Sequence, residues 1–329
     1  MAAQFRIPVS IITGFLGSGK TTLLNYLVKQ PGMSDTAVIV NEFGEIGLDH
    51  LLIEQAFEDT VLLQNGCICC SIRGDLVDTL ESLNAQVARQ EIPAFARVIV
   101  ETTGLADPAP VLQTLMTNEK LRALYALDGI VATVDAVNGA GQLNEFEESV
   151  KQAAIADHLF ITKGDLAGQH AIEDLTKRLR ALNPNAPITL VEHGVADPDS
   201  LFGNGPIADP SRLGQQTAVP HNHNHDSGIQ SFAILYDAPL PWNAVRAWLE
   251  SVASLRGADL LRMKGILNIA GRAGPVVIHG VQHIFHPPVE FPEWPNTDRT
   301  TRIVFITRNI ERAGLENALA AFVDREQAA

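Results

Sequence analysis

Short apolar runs recur through the first two-thirds of the chain, separated by stretches with helical periodicity. Ile7–Thr13, Thr36–Val40, Val61–Leu63, Arg97–Glu101, Gly129–Val134 and His158–Thr162 are rich in Val and Ile and bounded by polar or glycine turns, so they read as buried strands. Helices are expected at Lys20–Gln30, Asp75–Gln90, Glu147–Ala156 and Ala171–Leu182. Strands that are apolar along their whole length, alternating with helices, predict a mostly parallel α/β sheet covered on both faces. Ligands bind such sheets at the carboxyl ends of the strands.

The pattern breaks at Asn204–Gly228, a Pro-, Asp-, Asn- and His-rich stretch with no apolar period, which reads as a linker. Beyond it, strands near Ser231–Tyr236, Leu260–Ala270, Val276–Val281 and Arg302–Thr307 accompany helices at Trp242–Leu255 and Ile310–Val323. The expected organisation is an α/β domain over residues 1–205, a linker over 206–228 and a smaller α+β domain over 229–329.

Composition narrows the function. The chain has 329 residues, 46% of them hydrophobic, and a formal net charge of −14. Nucleic-acid affinity rests on clustered Lys and Arg, and no basic run is visible, so a general phosphate-backbone binder is not expected. There is no signal-peptide layout and no apolar stretch of membrane-spanning length, which points to the cytoplasm. Cys67, Cys69 and Cys70 are the three cysteines of the chain. An odd, clustered set is no disulfide framework; it suits metal binding or redox chemistry.

Gly14-Phe15-Leu16-Gly17-Ser18-Gly19-Lys20-Thr21 matches G-x-x-x-x-G-K-[ST] between an expected strand and an expected helix. Its backbone N–H groups would cradle phosphates. Lys20 would neutralise the β- and γ-phosphates, and Thr21 would ligate Mg²⁺. P-loop NTPases carry an acid at the end of a nearby apolar strand. Glu101, closing Val98–Glu101, fits it and would hold Mg²⁺ or orient the attacking water. Gly104 would let its backbone amide approach the γ-phosphate.

Thr162-Lys163-Gly164-Asp165 follows another apolar strand. It is related to N-K-x-D, in which the Asp accepts from guanine N1 and N2 and the Lys stem packs on the base. Adenine would leave the Asp165 carboxylate unpaired. In Asn65-Gly66-Cys67-Ile68-Cys69-Cys70, three soft ligands within four positions suit Zn²⁺. Glu42, in Asn41-Glu42-Phe43-Gly44-Glu45, would add a further ligand. Zinc and cobalt both accept such donors.

GFLGSGKTT, NEFGEIGLD, NGCICC, VIVETTGLADP and TKGD stand in the order that resembles the CobW-type metallochaperone GTPases, relatives of the UreG and HypB proteins. The likeness covers nearly the whole chain, including Arg262-Met263-Lys264-Gly265, Gly280-Val281 and Trp294-Pro295 in the second domain; Thr162 departs from the usual Asn. The resemblance implies GTP hydrolysis coupled to transfer of zinc to client metalloproteins, with cobalt delivery for cobalamin synthesis or nitrile hydratase activation as alternatives. It implies that Gly17, Ser18, Gly19, Lys20, Thr21 and Thr22 contact phosphate and Mg²⁺. Cys67, Cys69 and Cys70 would be the metal motif, and Lys163 and Asp165 would read guanine. Asn41–Asp49 would act as a nucleotide-ordered switch.

Two other classes remain open. A metal buffer or sensor would bind metal regardless of nucleotide. A small-molecule kinase would need a second-substrate pocket and leaves the cysteines unexplained. His221, His223 and His225 in the linker would either collect metal weakly or be solvated. His279, His283 and His286 read as structural, and Trp242 and Trp248 as core. Oligomeric state and client are not legible.

Overall fold

The computed structural model describes residues 6–41, 61–62, 68–72, 76–203 and 228–328. The chain divides into two compact units, Met1–Thr176 with Ala186–Gly205 and Lys177–Asn185 with Pro206–Ala329. No helix among the described residues is long and apolar enough to cross a membrane.

The first unit is built on eight strands: β1 (Ile7–Gly14), β2 (Thr36–Asn41), β3 (Val61–Leu62), β4 (Ile68–Ile72), β5 (Arg97–Glu101), β6 (Tyr125–Asp135), β7 (His158–Thr162) and β8 (Ile188–Leu190). Their order is β3-β4-β2-β5-β1-β6-β7-β8. Every pair is parallel except β3 with β4. The helices are α1 (Lys20–Leu27), α2 (Leu76–Ala88), α3 (Ala109–Thr117), α4 (Glu119–Leu124), α5 (Gly139–Glu145), α6 (Glu147–Ile155) and α7 (Gln169–Leu182), whose residues from Lys177 onward fall in the second unit.

Alternation along the strands explains why both faces are covered. Ile12, Val38, Ile99, Val131 and Phe160 point to one face and form a cluster with Leu23, Leu24 and Leu27 of α1. Leu23 and Leu27 are fully buried, so truncating either to Ala would cost about 2–5 kcal/mol. The alternate positions, Ile11, Ile39, Val100, Ile130 and Ile161, are equally buried, so the opposite face is covered too. A parallel sheet buried on both sides is what continuous apolar strands require.

Several boundaries differ from the sequence reading. Helix α1 ends at Leu27, not Gln30, where the chain turns into the short 3₁₀ helix Pro31–Met33. Strand β6 begins at Tyr125, four residues before Gly129. The cysteine motif is not simply a loop after a strand, because Ile68–Ile72 is itself a strand lying beside β2.

In the second unit, β9 (Ile229–Tyr236), β10 (Leu260–Leu267), β11 (Val276–Val281), β12 (Ile284–Phe285) and β14 (Thr301–Arg308) form an antiparallel sheet ordered β12-β11-β10-β14-β9, with β13 (Val289–Glu290) on β11. Helices α8 (Trp242–Arg256) and α9 (Arg312–Gln327) bury Val245, Trp248, Leu249, Leu315 and Leu319 with Met263, Ile303 and Phe305. Trp248 is fully buried and meets Phe305 edge-on, and Trp242 packs at the margin of the same cluster, so both tryptophans belong to the core. His279 is buried on β11, with its ring 4.8 Å from that of His286; His283 is exposed.

Candidate nucleotide and metal site

The phosphate loop is strung between the carboxyl end of β1 and the N-terminus of α1. Gly14 has φ 141°, and a Cβ there would lie 2.3 Å from Thr133 Oγ1 and 2.4 Å from the Thr133 carbonyl oxygen on β6, so only glycine fits. Ser18 is buried, its Oγ 2.7 Å from Thr133 Oγ1. The Lys20 ammonium is buried and donates to the carbonyls of Gly14 (2.8 Å) and Phe15 (3.1 Å), which holds a cation inside the loop. Gly17 is exposed, and Gly19 caps α1 with its backbone in the left-handed region. Thr22 is exposed, with its methyl facing Gly194.

The two expected Mg²⁺ ligands meet. Thr21 Oγ1 donates to Glu101 Oε1 at 2.8 Å, although 80 residues separate them. The reason is register: Ile12 on β1 pairs with Glu101 on β5, so the acid at the end of β5 stands beside the loop that opens α1. A hydroxyl and a carboxylate in contact are hard oxygen donors, the set that Mg²⁺ takes alongside substrate phosphates. Just beyond, Gly104 packs on the phosphate loop so closely that a Cβ would lie 2.7 Å from Leu16 Cα and its backbone N. Gln152 of α6, buried, donates through Nε2 to the carbonyls of Gly104 (3.1 Å) and Ala106 (3.0 Å), fixing this turn.

At the base turn the three expected residues have separate partners. Thr162 Oγ1 donates to the Ser18 carbonyl at 2.6 Å and so ties the turn to the phosphate loop. Lys163, with φ 58°, reaches Asp135 Oδ2 at 2.7 Å. Burial alone would push the Asp135 carboxyl up. Lys163, the Asn138 side chain and the amides of Val137 and Asn138 outweigh it and hold the group below its ordinary value. Asp165 accepts from the His193 amide at 3.0 Å, and that bond holds its carboxyl below the usual range against a smaller effect of burial.

The thiolate motif falls partly on described backbone. Cys69 and Cys70 lie on β4 beside Val38 and Ile39 of β2, whereas Cys67 and Glu42 lie outside the described residues, as do His221, His223 and His225. Val40 pairs with Ser71 on one side and with Glu101 on the other. Cys70 is thus one register step before the row that contains Glu101, with a single strand between. Strand spacing puts the two backbones roughly 10 Å apart. Among the described residues, no group of three or more His, Cys, Asp or Glu is placed to hold a metal ion.

Sequence reasoning missed Thr133, Asp135, Asn138, Gln152 and His193. Asp135 carried a readable signal, since it closes an apolar run as Glu101 does. Gln152 and His193 carried none, because only the fold brings them to the site.

A phosphate loop, a strand-end acid on its threonine and a Lys–Asp turn at the carboxyl edge of a parallel sheet define a P-loop nucleotide-binding protein. The family model described as "CobW/HypB/UreG, nucleotide-binding domain" matches residues 8–190, and that described as "Cobalamin synthesis protein cobW C-terminal domain" matches residues 229–323. The chain belongs to the CobW/HypB/UreG family. It is 35% identical to the zinc chaperone YjiA of Escherichia coli, over 95% of this chain and 98% of that protein. It is 28% identical to the zinc chaperone CobW of Pseudomonas aeruginosa, over 97% and 92%. The crystal structure of the Zn(II)-bound YjiA GTPase from E. coli superposes with a TM-score of 0.79 at 32% identity, covering 96% of this chain and 99% of that one.

Proposed function

We propose that this protein is a GTP-dependent zinc chaperone: it binds zinc through Cys67, Cys69 and Cys70 and passes it to a client metalloprotein when GTP is hydrolysed. The observation that carries the reading is the one-strand separation between the cysteine strand β4 and Glu101 at the end of β5. Strand β2 lies between them, and its last residue, Asn41, leads directly into Glu42. A change at the phosphate end of this sheet would reach the cysteine strand across one intervening strand. The zinc-chaperone names of the relatives and the Zn(II)-bound structure of YjiA support zinc as the cargo.

The proposed roles of the site residues are these. Lys20 leaves its carbonyl partners to neutralise β- and γ-phosphate charge as the loop amides wrap the phosphates. Thr21 and Glu101 would hold Mg²⁺, which supplies charge neutralisation between the β- and γ-phosphates. Glu101 would also orient the attacking water. Gly104 presents its amide beside the phosphate loop. Lys163 lays its stem along the base while Asp165 accepts from guanine N1–H and the 2-amino group. The thiolates are soft donors suited to tetrahedral zinc, and Glu42 would complete the set. Hydrolysis would loosen the metal site and release the ion to the client. In the proposed division, residues 1–205 do this work, residues 229–329 face the client and 206–228 link them.

The test is metal-stimulated hydrolysis. Zinc should change the GTP turnover of the reduced protein. The Cys67→Ala, Cys69→Ala, Cys70→Ala triple variant should retain basal turnover and lose the response. A triple variant that responds to zinc like the parent would contradict the assignment.

A further inference from the structure

His193 follows β8 in a tight turn closed by the Glu192–Val195 bridge and by Val195 N donating to the Glu192 carbonyl at 2.9 Å. Its φ is 53°, a left-handed conformation unusual for a residue with a side chain. That conformation brings His193 to Asp165 twice. Its amide donates to Oδ1 at 3.0 Å, and its ring Nδ1 lies 3.2 Å from Oδ2. The turn is independently anchored: Val191 N donates to the Ile161 carbonyl at 2.7 Å, and Gly164 N donates to the Val191 carbonyl at 3.4 Å. The ring contact is thus not needed to hold the turn in place, and the ring itself is largely exposed, at 76%.

A carboxylate offers about four acceptor positions. The His193 amide donates to one oxygen and its ring nitrogen approaches the other, which pins the plane of the group. Lys163 has its own brace in Asp135. We propose that His193 is a positioning residue for base selection: its ring fixes the Asp165 carboxylate so that both oxygens meet the N1–H and 2-amino donors of guanine together. This rests on the guanine reading of Asp165.

The experiment measures dissociation constants of GDP, IDP and ADP for the parent and for the His193→Ala, His193→Gly and His193→Asn variants. IDP lacks the 2-amino group and tests the second hydrogen bond. The Ala variant, and the Gly variant that removes the ring without backbone strain, should bind GDP about tenfold more weakly, a loss of one well-oriented hydrogen bond. IDP should weaken less, so the preference for GDP over IDP narrows. Turnover at saturating GTP should be unchanged. Asn tolerates the left-handed backbone and carries a side-chain N–H donor, so it should restore the preference. An unchanged GDP-to-IDP ratio in both the Ala and Gly variants would overturn the role of the ring, as would failure of Asn to restore it. A parent protein that binds ADP as tightly as GDP would instead overturn the guanine reading on which the role depends.

Discussion

The hydroxyl of Thr162 donates to the carbonyl of Ser18 at 2.6 Å, joining the base turn to the phosphate loop across 144 residues of sequence. Thr162 stands where related turns have Asn, and its contact is with the loop backbone. It acts as the hinge pin between the two halves of the nucleotide site.

Replacing Thr162 with Val keeps the shape and removes the donor, leaving the Ser18 carbonyl without this bond in a buried setting. The expected cost is about 1–3 kcal/mol of stability, with weaker GDP binding. Thr162→Ser should retain both. Thermal unfolding and a fluorescent-GDP titration of the two variants check this.

Gly104→Ala places a methyl 2.7 Å from Leu16 backbone atoms, which have no flexible side chain to yield. The phosphate loop must shift, or the turn must lift away from Gln152. Hydrolysis should fall at least tenfold, roughly 1.4 kcal/mol in the barrier, and more than GDP affinity does. Single-turnover hydrolysis beside a GDP titration separates the two.

Asp135 and Lys163 predict a pH signature. The Asp135 carboxyl is held below its ordinary value in the folded chain. Its stabilising contribution is therefore complete above the unfolded carboxylate range, near 3.9, and is lost as pH falls through the lower folded value. Asp135→Asn should destabilise the protein at pH 7 by about 1–3 kcal/mol; breaking a fully buried pair costs more, but Lys163 is partly exposed. The difference should shrink towards zero in acid. Denaturant unfolding of both proteins at pH 7 and below pH 4 measures it.

What could be read before the structure was whatever is local in sequence. The phosphate loop is eight consecutive residues whose glycines, lysine and threonine have a fixed chemical spacing. The apolar strands announce themselves because both of their faces are buried. Strand β4 was hidden because its centre is Cys-Cys-Ser between two isoleucines, not a continuous apolar run, and its order comes from pairing with β2, about thirty residues earlier. The partners of the recognised residues were hidden for the same reason. Gln152 reaches Gly104 over 48 residues, and His193 reaches Asp165 over 28. A sequence names the residues that touch a ligand more readily than those that hold them.

The most direct test of the account is a competitive Zn²⁺ titration of the reduced protein, with Mg²⁺ and a non-hydrolysable GTP analogue, then with Mg²⁺ and GDP. Coupling through β2 predicts tighter zinc in the GTP-like state, by the 5- to 150-fold typical of linked sites. By the same linkage, zinc should tighten the analogue by an equal factor. Equal zinc affinity in the two states, still abolished by loss of the cysteines, would contradict nucleotide-driven transfer and leave a metal buffer.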